Sequence, residues 1–196
     1  CESTFIIFRN AEEKTVTGKN YPQPYVLTTI HTPWKVKFEE RRQGPKESVV
    51  FNTLTDWITS EDPRIKYYSG TADYTNTFTI KEIPGQPTYI NLGKVVAMAK
   101  VYLNGKYVGG AWTYPYRLNI TDYLQKGKNT VKIEVVNNWV NRLIGDLKLP
   151  AEQRSTWTMV NPWRDDSQLQ PSGLFGPVRI ESHDYELLKF SPLSDN

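Results

Sequence analysis

Cysteine is almost missing from this 196-residue chain, with Cys1 the single one. One thiol cannot close a bridge within the chain, nor supply a cysteine-based metal site. Histidine is scarce too. His31 and His183 are the two, which is little material for a transition-metal centre. No apolar run approaches the roughly 20 residues of a membrane-spanning helix, and the chain does not open with a secretion signal. Charge of one sign is nowhere concentrated. The net charge is +3 and the longest cationic cluster is Arg41-Arg42, so nucleic acid and membrane surfaces find little support as partners. Cys1 reads as the point where a longer chain was cut, in preference to a lipidated residue left by signal cleavage.

Aromatics, by contrast, are abundant at 13%, with 6 Trp and 12 Tyr. That suits β structure and also flat ligand-binding faces. Hydrophobic content of 38% and charged content of 23% are ordinary for a globular protein. A chain of this length buries roughly 70% of its unfolded surface without a staple, and reads as one domain with extensions.

The stretch from Lys100 to Trp139 organises the rest. Val101 and Leu103 alternate with polar neighbours up to Asn104-Gly105, a two-residue hairpin signal. The return strand is Tyr107 to Trp112. Asn119 to Leu124 reads as a helical turn with Thr121 or Asp122 as N-cap, and Lys126 to Asn129 as a polar turn. In Thr130–Val136, Val131, Ile133 and Val135 face one way and Lys132 and Glu134 the other, the pattern of a half-buried antiparallel strand.

Before it, Thr4–Phe8 is an apolar strand belonging to a preceding domain, and Ala11–Gln23 a linker. Strands follow at Pro33–Phe38, Ser48–Asn52, Asp73–Ile80, Thr88–Leu92 and Val95–Leu103, with a helical turn at Pro63–Lys66 and a turn at Pro84-Gly85. After it, Asn137–Gly173 shows no alternation. An irregular segment of that length is functional or part of an interface. Gly173–Pro177 reads as a turn and Val178–Ser182 as a last strand. About eight strands at this spacing predict an all-β fold, an antiparallel β-sandwich or jelly roll. The expected division is a tail of a preceding domain plus linker over 1–22, the sandwich over 23–190 and a C-terminal tail over 191–196.

A family pattern runs through Leu54-Thr-Asp-Trp57, Tyr68-Ser-Gly-Thr-Ala-Asp-Tyr74, Val101-Tyr-Leu-Asn-Gly105, Trp112-Thr-Tyr-Pro-Tyr-Arg117, Ile120-Thr-Asp122, Gly127-Lys-Asn129, Asn138-Trp-Val-Asn-Arg-Leu-Ile-Gly-Asp146 and Gly173-Leu-Phe-Gly-Pro-Val178. Over roughly residues 31–182 the chain resembles the C-terminal galactose-binding-domain-like β-sandwich of large bacterial glycoside hydrolases, above all the α-L-rhamnosidase type of family 106. It resembles more loosely the sugar-binding domain of family 2 enzymes such as β-galactosidases. The resemblance implies an accessory domain beside a separate barrel that carries the catalytic carboxylates. Its partners would be that catalytic domain of the same parent chain and an oligosaccharide. The parent would be exported to the periplasm, the cell surface or the medium, as are many such enzymes of gut Bacteroidetes.

Three kinds of site are open. Glycosidase chemistry needs two carboxyl groups about 5–9 Å apart, one with a raised pKa. Asp56, Glu61, Asp62, Asp146, Asp165 and Asp166 are the material, but caps, turns and ion pairs account for them better, and no catalytic residue is assigned. A sugar-binding surface needs exposed rings with Asp, Asn or Arg beside them. Trp112, Tyr114, Tyr116 and Arg117 form one group; Trp139, Asn141, Arg142 and Asp146 a second; Trp157, Trp163, Arg164 and Asp165 a third. Against this, Trp112 and Trp139 would plug the ends of the core, Arg142–Asp146 would be a structural ion pair, and Trp157 and Trp163 would pack on a catalytic barrel. Arg117 reads as structural, tied to Asp122 or a buried carbonyl. The resemblance also implies a structural calcium ion held by loop oxygens, although no Asp-x-Asp-x-Asp-Gly loop is present. A free-standing carbohydrate-binding module is the alternative to an accessory domain; a small hydrolase is the distant third.

Overall fold

A computed structural model describes residues 23–184. The Thr4–Phe8 run, nearly all of the linker and the C-terminal tail lie outside the described residues. The alternation predicted from sequence is what the sheets are built from. Strands β1 (Gln23–Thr29), β2 (Trp34–Phe38) and β3 (Val49–Phe51) lead through helix α1 (Pro63–Lys66) to β4 (Thr71–Ile80). Then come β5 (Thr88–Asn91), β6 (Lys94–Val96), β7 (Met98–Leu103), β8 (Lys106–Ala111), β9 (Arg117–Asn119) and β10 (Gly127–Val136). Helix α2 (Val140–Leu147) precedes β11 (Gly173–Gly176) and β12 (Arg179–Asp184).

Six strands in the order β3-β2-β4-β10-β7-β8 form one sheet, four in the order β1-β12-β5-β9 the other, and β11 pairs with β6. All strand ladders are antiparallel. Tyr74, Asn76, Phe78 and Ile80 share the buried face of β4, and Val131, Ile133 and Val135 that of β10. They form one core with Ile90 and Ile180 of the four-stranded sheet. Polar Asn76 is tolerated there because its amide is matched: it donates to Thr32 O at 2.9 Å and accepts from Thr32 Oγ1 at 2.8 Å.

The hairpin turn has the predicted geometry, with φ of 52° at Asn104 and 80° at Gly105. The Asn104 amide also donates to Asn129 Oδ1 and to Tyr123 O, both at 2.9 Å. Asn129, buried, bonds Gln125 at both its N–H and its carbonyl, so two turns are stapled to each other.

An aromatic knot of Trp57, Phe38, Tyr68 and Tyr74 fills one flank of the core. Burial pushes the Tyr68 hydroxyl up to about 12 and raises that of Tyr74 as well. The folded state therefore holds these protons longer than the unfolded chain, whose tyrosines titrate near 10. This contribution to stability is whole below about pH 10 and is lost as pH rises toward 12 and beyond. Urea midpoints measured across that window, beside tyrosinate absorbance, should fall in the wild type and fall less in Tyr68→Phe. Equal slopes would contradict the assignment.

Six expectations need correction. There are twelve strands among the described residues, not about eight. Strand β1 went unread because Pro24 and the exposed Tyr25 and Val26 hide its signal; as an edge strand paired only with β12 it tolerates both. The apparent single strand 95–103 is β6 and β7 in different sheets, and the expected turn at 173–177 contains β11, the partner of β6. The turn at Thr121–Tyr123 is held by the Asn119 carboxamide, which accepts from Thr121 N at 3.0 Å, rather than by Thr121 or Asp122. Finally, the segment read as irregular contains α2. Its buried residues mix Leu143 and Ile144 with Asn141, Arg142 and Asp146, so the apolar stripe is too short to mark a helix in the sequence.

Candidate functional site

Phe38, Ala72, Val135, Ala99 and Ala111 stand side by side in one row across the six-stranded sheet. The chain segments beyond that row gather at one end of the sandwich: 39–43 after β2, Ser69-Gly70 before β4, Asn137 onward after β10 and Trp112 after β8. Neighbouring strands lie about 4.8 Å apart, so β8 and β10 are separated by about 10 Å there. The three aromatic groups picked out from the sequence thus start from the same end.

Trp112 is 70% exposed and Tyr114 73%; Trp112 plugs no core. The register puts Tyr107 and Tyr102 opposite each other on the outer face of the sheet, with Lys132 next in the row. The two tyrosine rings are 5.4 Å apart, and the Lys132 ammonium sits 4.3 Å from the Tyr102 ring. A strip of rings runs down the sheet edge from Trp112. Tyr102 and Tyr107 were missed as site residues, although both fall on the polar side of an alternating pattern around Asn104-Gly105. Tyr116 packs against the core. Arg117 belongs to the other sheet, with its Nη1 3.0 Å from His183 Nε2 and its guanidinium over the Tyr89 ring.

The second group is split by the structure. Asn141, fully buried, accepts from Gln170 N and donates to Gln170 O, both at 2.7 Å. Asp146, 2% exposed, accepts from Ser155 N at 2.9 Å and from Thr156 N and Oγ1 at 2.8 and 2.7 Å. These two side chains hold the start and end of the following loop. Trp139, at the head of α2, is 57% exposed. Between it and Arg142 is a hollow of about 120 Å³, walled also by Arg41, Arg42, Ser69 and Ser155.

The third group rides on that loop. Its base is fixed by Asp146, by Asn141 and by Asp56 Oδ1, which accepts from Ser172 N at 2.9 Å. Its tip is presented outward: Trp157 is 80% exposed, and Met159 and Val160 more than 70%. Trp163 is half-buried, while Arg164 and Asp165 are exposed.

The carboxylates do other work. Asp56 and Asp62 cap the turn at Trp57–Thr59 and helix α1. The Arg64 guanidinium beside Asp62 holds its carboxyl below the usual range, the reverse of what a general acid needs. Glu61, Asp165 and Asp166 are exposed. Among the described residues no group of three or more His, Cys, Asp or Glu side chains fits a metal ion. No described helix is long and apolar enough to cross a membrane.

The profile of the family described as glycosyl hydrolase 2 galactose-binding domain-like matches residues 34–166. A Formosa agariphila protein provisionally named a β-glucuronidase is 33% identical, over 88% of this chain and 17% of its own length. A β-galactosidase of Priestia megaterium is 30% identical, over 81% of this chain and 15% of its own. The solved rhamnosidase of Novosphingobium sp. PP1Y aligns with a TM-score of 0.78 at 39% identity, covering 89% of this chain and 16% of that one. The chain spans 11–17% of the length of the curated relatives it matches.

Proposed function

Because this chain belongs to the glycosyl hydrolase 2 galactose-binding domain-like family, we propose that it is a non-catalytic accessory domain of a larger glycoside hydrolase acting on rhamnose-containing polysaccharide. The observation that carries this reading is the tethered loop at one end of the sandwich. Trp157, Met159 and Val160 stand out from a base fixed by buried hydrogen bonds. Large apolar side chains presented in this way mark a surface that meets something else. In this reading that end faces the catalytic domain of the same chain and its bound oligosaccharide. The rhamnoside preference rests on the solved rhamnosidase at 39% identity. The sandwich unit is taken as 23–190, preceded by the tail of another domain with its linker and followed by a short tail. The periplasm, cell surface or medium is the location the reading implies, since a polysaccharide is met outside the cytoplasm.

The test is made in the full-length enzyme. Trp157→Ala combined with Trp163→Ala should lower kcat/KM on oligosaccharides about tenfold, the scale of one well-packed aromatic contact, and leave turnover of a small aryl glycoside intact. Unchanged kinetics on both would remove the loop from the account. A second reading, a free-standing carbohydrate-binding module, is favoured by the strip of Trp112, Tyr107 and Tyr102 on the outer sheet face. It requires saturable sugar binding by the isolated chain that is lost in Trp112→Ala.

A further inference from the structure

We propose that the hollow between Trp139 and Arg142 seats the carboxylate of a uronic acid residue, so that the saccharide met by this domain is anionic. This deepens the accessory-domain reading and rests on it.

The Arg142 side chain is nine-tenths buried. Its Nη1 donates to the neutral Gln43 Oε1 at 2.9 Å, and its Nη2 is sealed from water without a hydrogen-bond partner among the described residues. Asp146 stands 3.6 Å from Nη1, an ion pair too long to be a hydrogen bond. Its Oδ2 accepts from Ser155 N and from Thr156 N and Oγ1, while Oδ1 takes only a 3.4 Å contact from Ser155 Oγ and faces Arg142 at ion-pair distance. A buried guanidinium so incompletely matched is costly; its Nη2 is closed off, so an anion in the adjoining hollow offsets its charge through space while the exposed Arg41 and Arg42 supply the hydrogen bonds.

The surroundings point the same way. Arg41 and Arg42 wall the same hollow. Glu39 lies 3.1 Å from Arg41 and 4.0 Å from Arg42. Three guanidinium groups thus face two carboxylates, Glu39 and Asp146, and the hollow is left electropositive. Ser69 and Ser155 add hydroxyls. Planar guanidinium forks suit a planar carboxylate. At about 120 Å³ the space takes the acid group and the adjoining edge of a pyranose, not a length of chain, so the sugar enters end on. The exposed Trp139 ring at the rim offers a face for its C–H side. Carboxylate recognition and ring stacking in one place describe a uronate better than either a neutral sugar or a simple acid.

The test titrates the 196-residue chain with the methyl glycosides of glucuronate and galacturonate, each beside its carboxyl-reduced counterpart, by tryptophan emission. The expected result is that at least one uronate binds about tenfold more tightly than its neutral partner, the scale of one charge-assisted hydrogen bond. Salt should weaken it. Arg42→Gln, at a side chain 62% exposed, should cost about tenfold, and Trp139→Ala should abolish the emission change, both with unchanged melting. Equal binding of acid and reduced sugar, or binding indifferent to both substitutions, overturns the proposal. So does equal competition by acetate or an acidic peptide, which would make the hollow a seat for a protein carboxylate, and so does tighter binding of a sulfated sugar. Failure here while the Trp157 and Trp163 substitutions lower kcat/KM as expected leaves the accessory-domain reading in place; unchanged kinetics in those variants with uronate binding as expected removes the loop from that reading and leaves the carboxylate seat standing.

Discussion

Asp146→Ala is expected to lower the unfolding free energy by about 3–5 kcal/mol, the cost of breaking a buried pair by removing one partner. Asp146 is 2% exposed and collects the backbone N–H groups of Ser155 and Thr156 together with the Thr156 hydroxyl. It also faces the buried Arg142 guanidinium. Alanine leaves the charge unopposed and two amides without their acceptor, and the space it opens is polar. Asp146→Asn keeps the shape and one acceptor oxygen but loses the charge, so it should fall between the two. Urea unfolding followed by far-ultraviolet circular dichroism gives the number directly. A loss under about 1 kcal/mol, the range of an ordinary surface change, would mean that the loop is not latched through this residue.

Trp57→Ala should cost about as much, roughly 3–5 kcal/mol, for a different reason. The ring is 1% exposed and packs edge-on against Phe38 at 5.3 Å and Tyr68 at 5.6 Å. Its Nε1 donates to Tyr74 Oη at 2.6 Å. Truncation removes all of this and leaves a cavity the sheets cannot close. Trp57→Phe isolates the polar part: it keeps a ring but leaves the Tyr74 hydroxyl without its donor, and should cost about 1–3 kcal/mol. At 2–4 °C per kcal/mol for a domain of this size, the alanine variant should melt roughly 10 °C lower. Equal losses in the two variants would show that the hydrogen bond, not the packing, dominates. Near-neutral results in both would contradict the view of this knot as the flank on which the loop returns, where Trp57 N donates to Ser172 O at 3.0 Å.

Strands with strict alternation were legible because one buried and one solvated face leave a period of two in the residues. Val131, Ile133 and Val135 in β10, and Tyr74 to Ile80 in β4, show it. The Asn104-Gly105 turn was legible because only a few residues accept both positive φ values. Helix α2 was not, since its inward face mixes Leu143 and Ile144 with Asn141, Arg142 and Asp146, whose burial depends on hydrogen bonds to Gln170, Gln43 and Ser155. The candidate site shows the same division. Exposed rings at Trp112, Tyr114 and Trp157 are residue types that draw the eye in a sequence. What the sequence does not display is that Arg41 and Arg42, beyond β2, come to wall the same hollow as Trp139 and Arg142, beyond β10. That juxtaposition depends on the register row from Phe38 to Ala111, and register is a long-range property.

The claim on which the rest depends is that this end of the sandwich is the working face. Amide hydrogen exchange in the intact glycosidase, compared with the isolated chain, tests it most directly. The account predicts slowed exchange in the intact enzyme across 110–114, 139–142 and 155–163, with the turns at 104–105 and 126–128 at the opposite end unchanged. Protection confined to those opposite turns, with the loop exchanging alike in both forms, would contradict it.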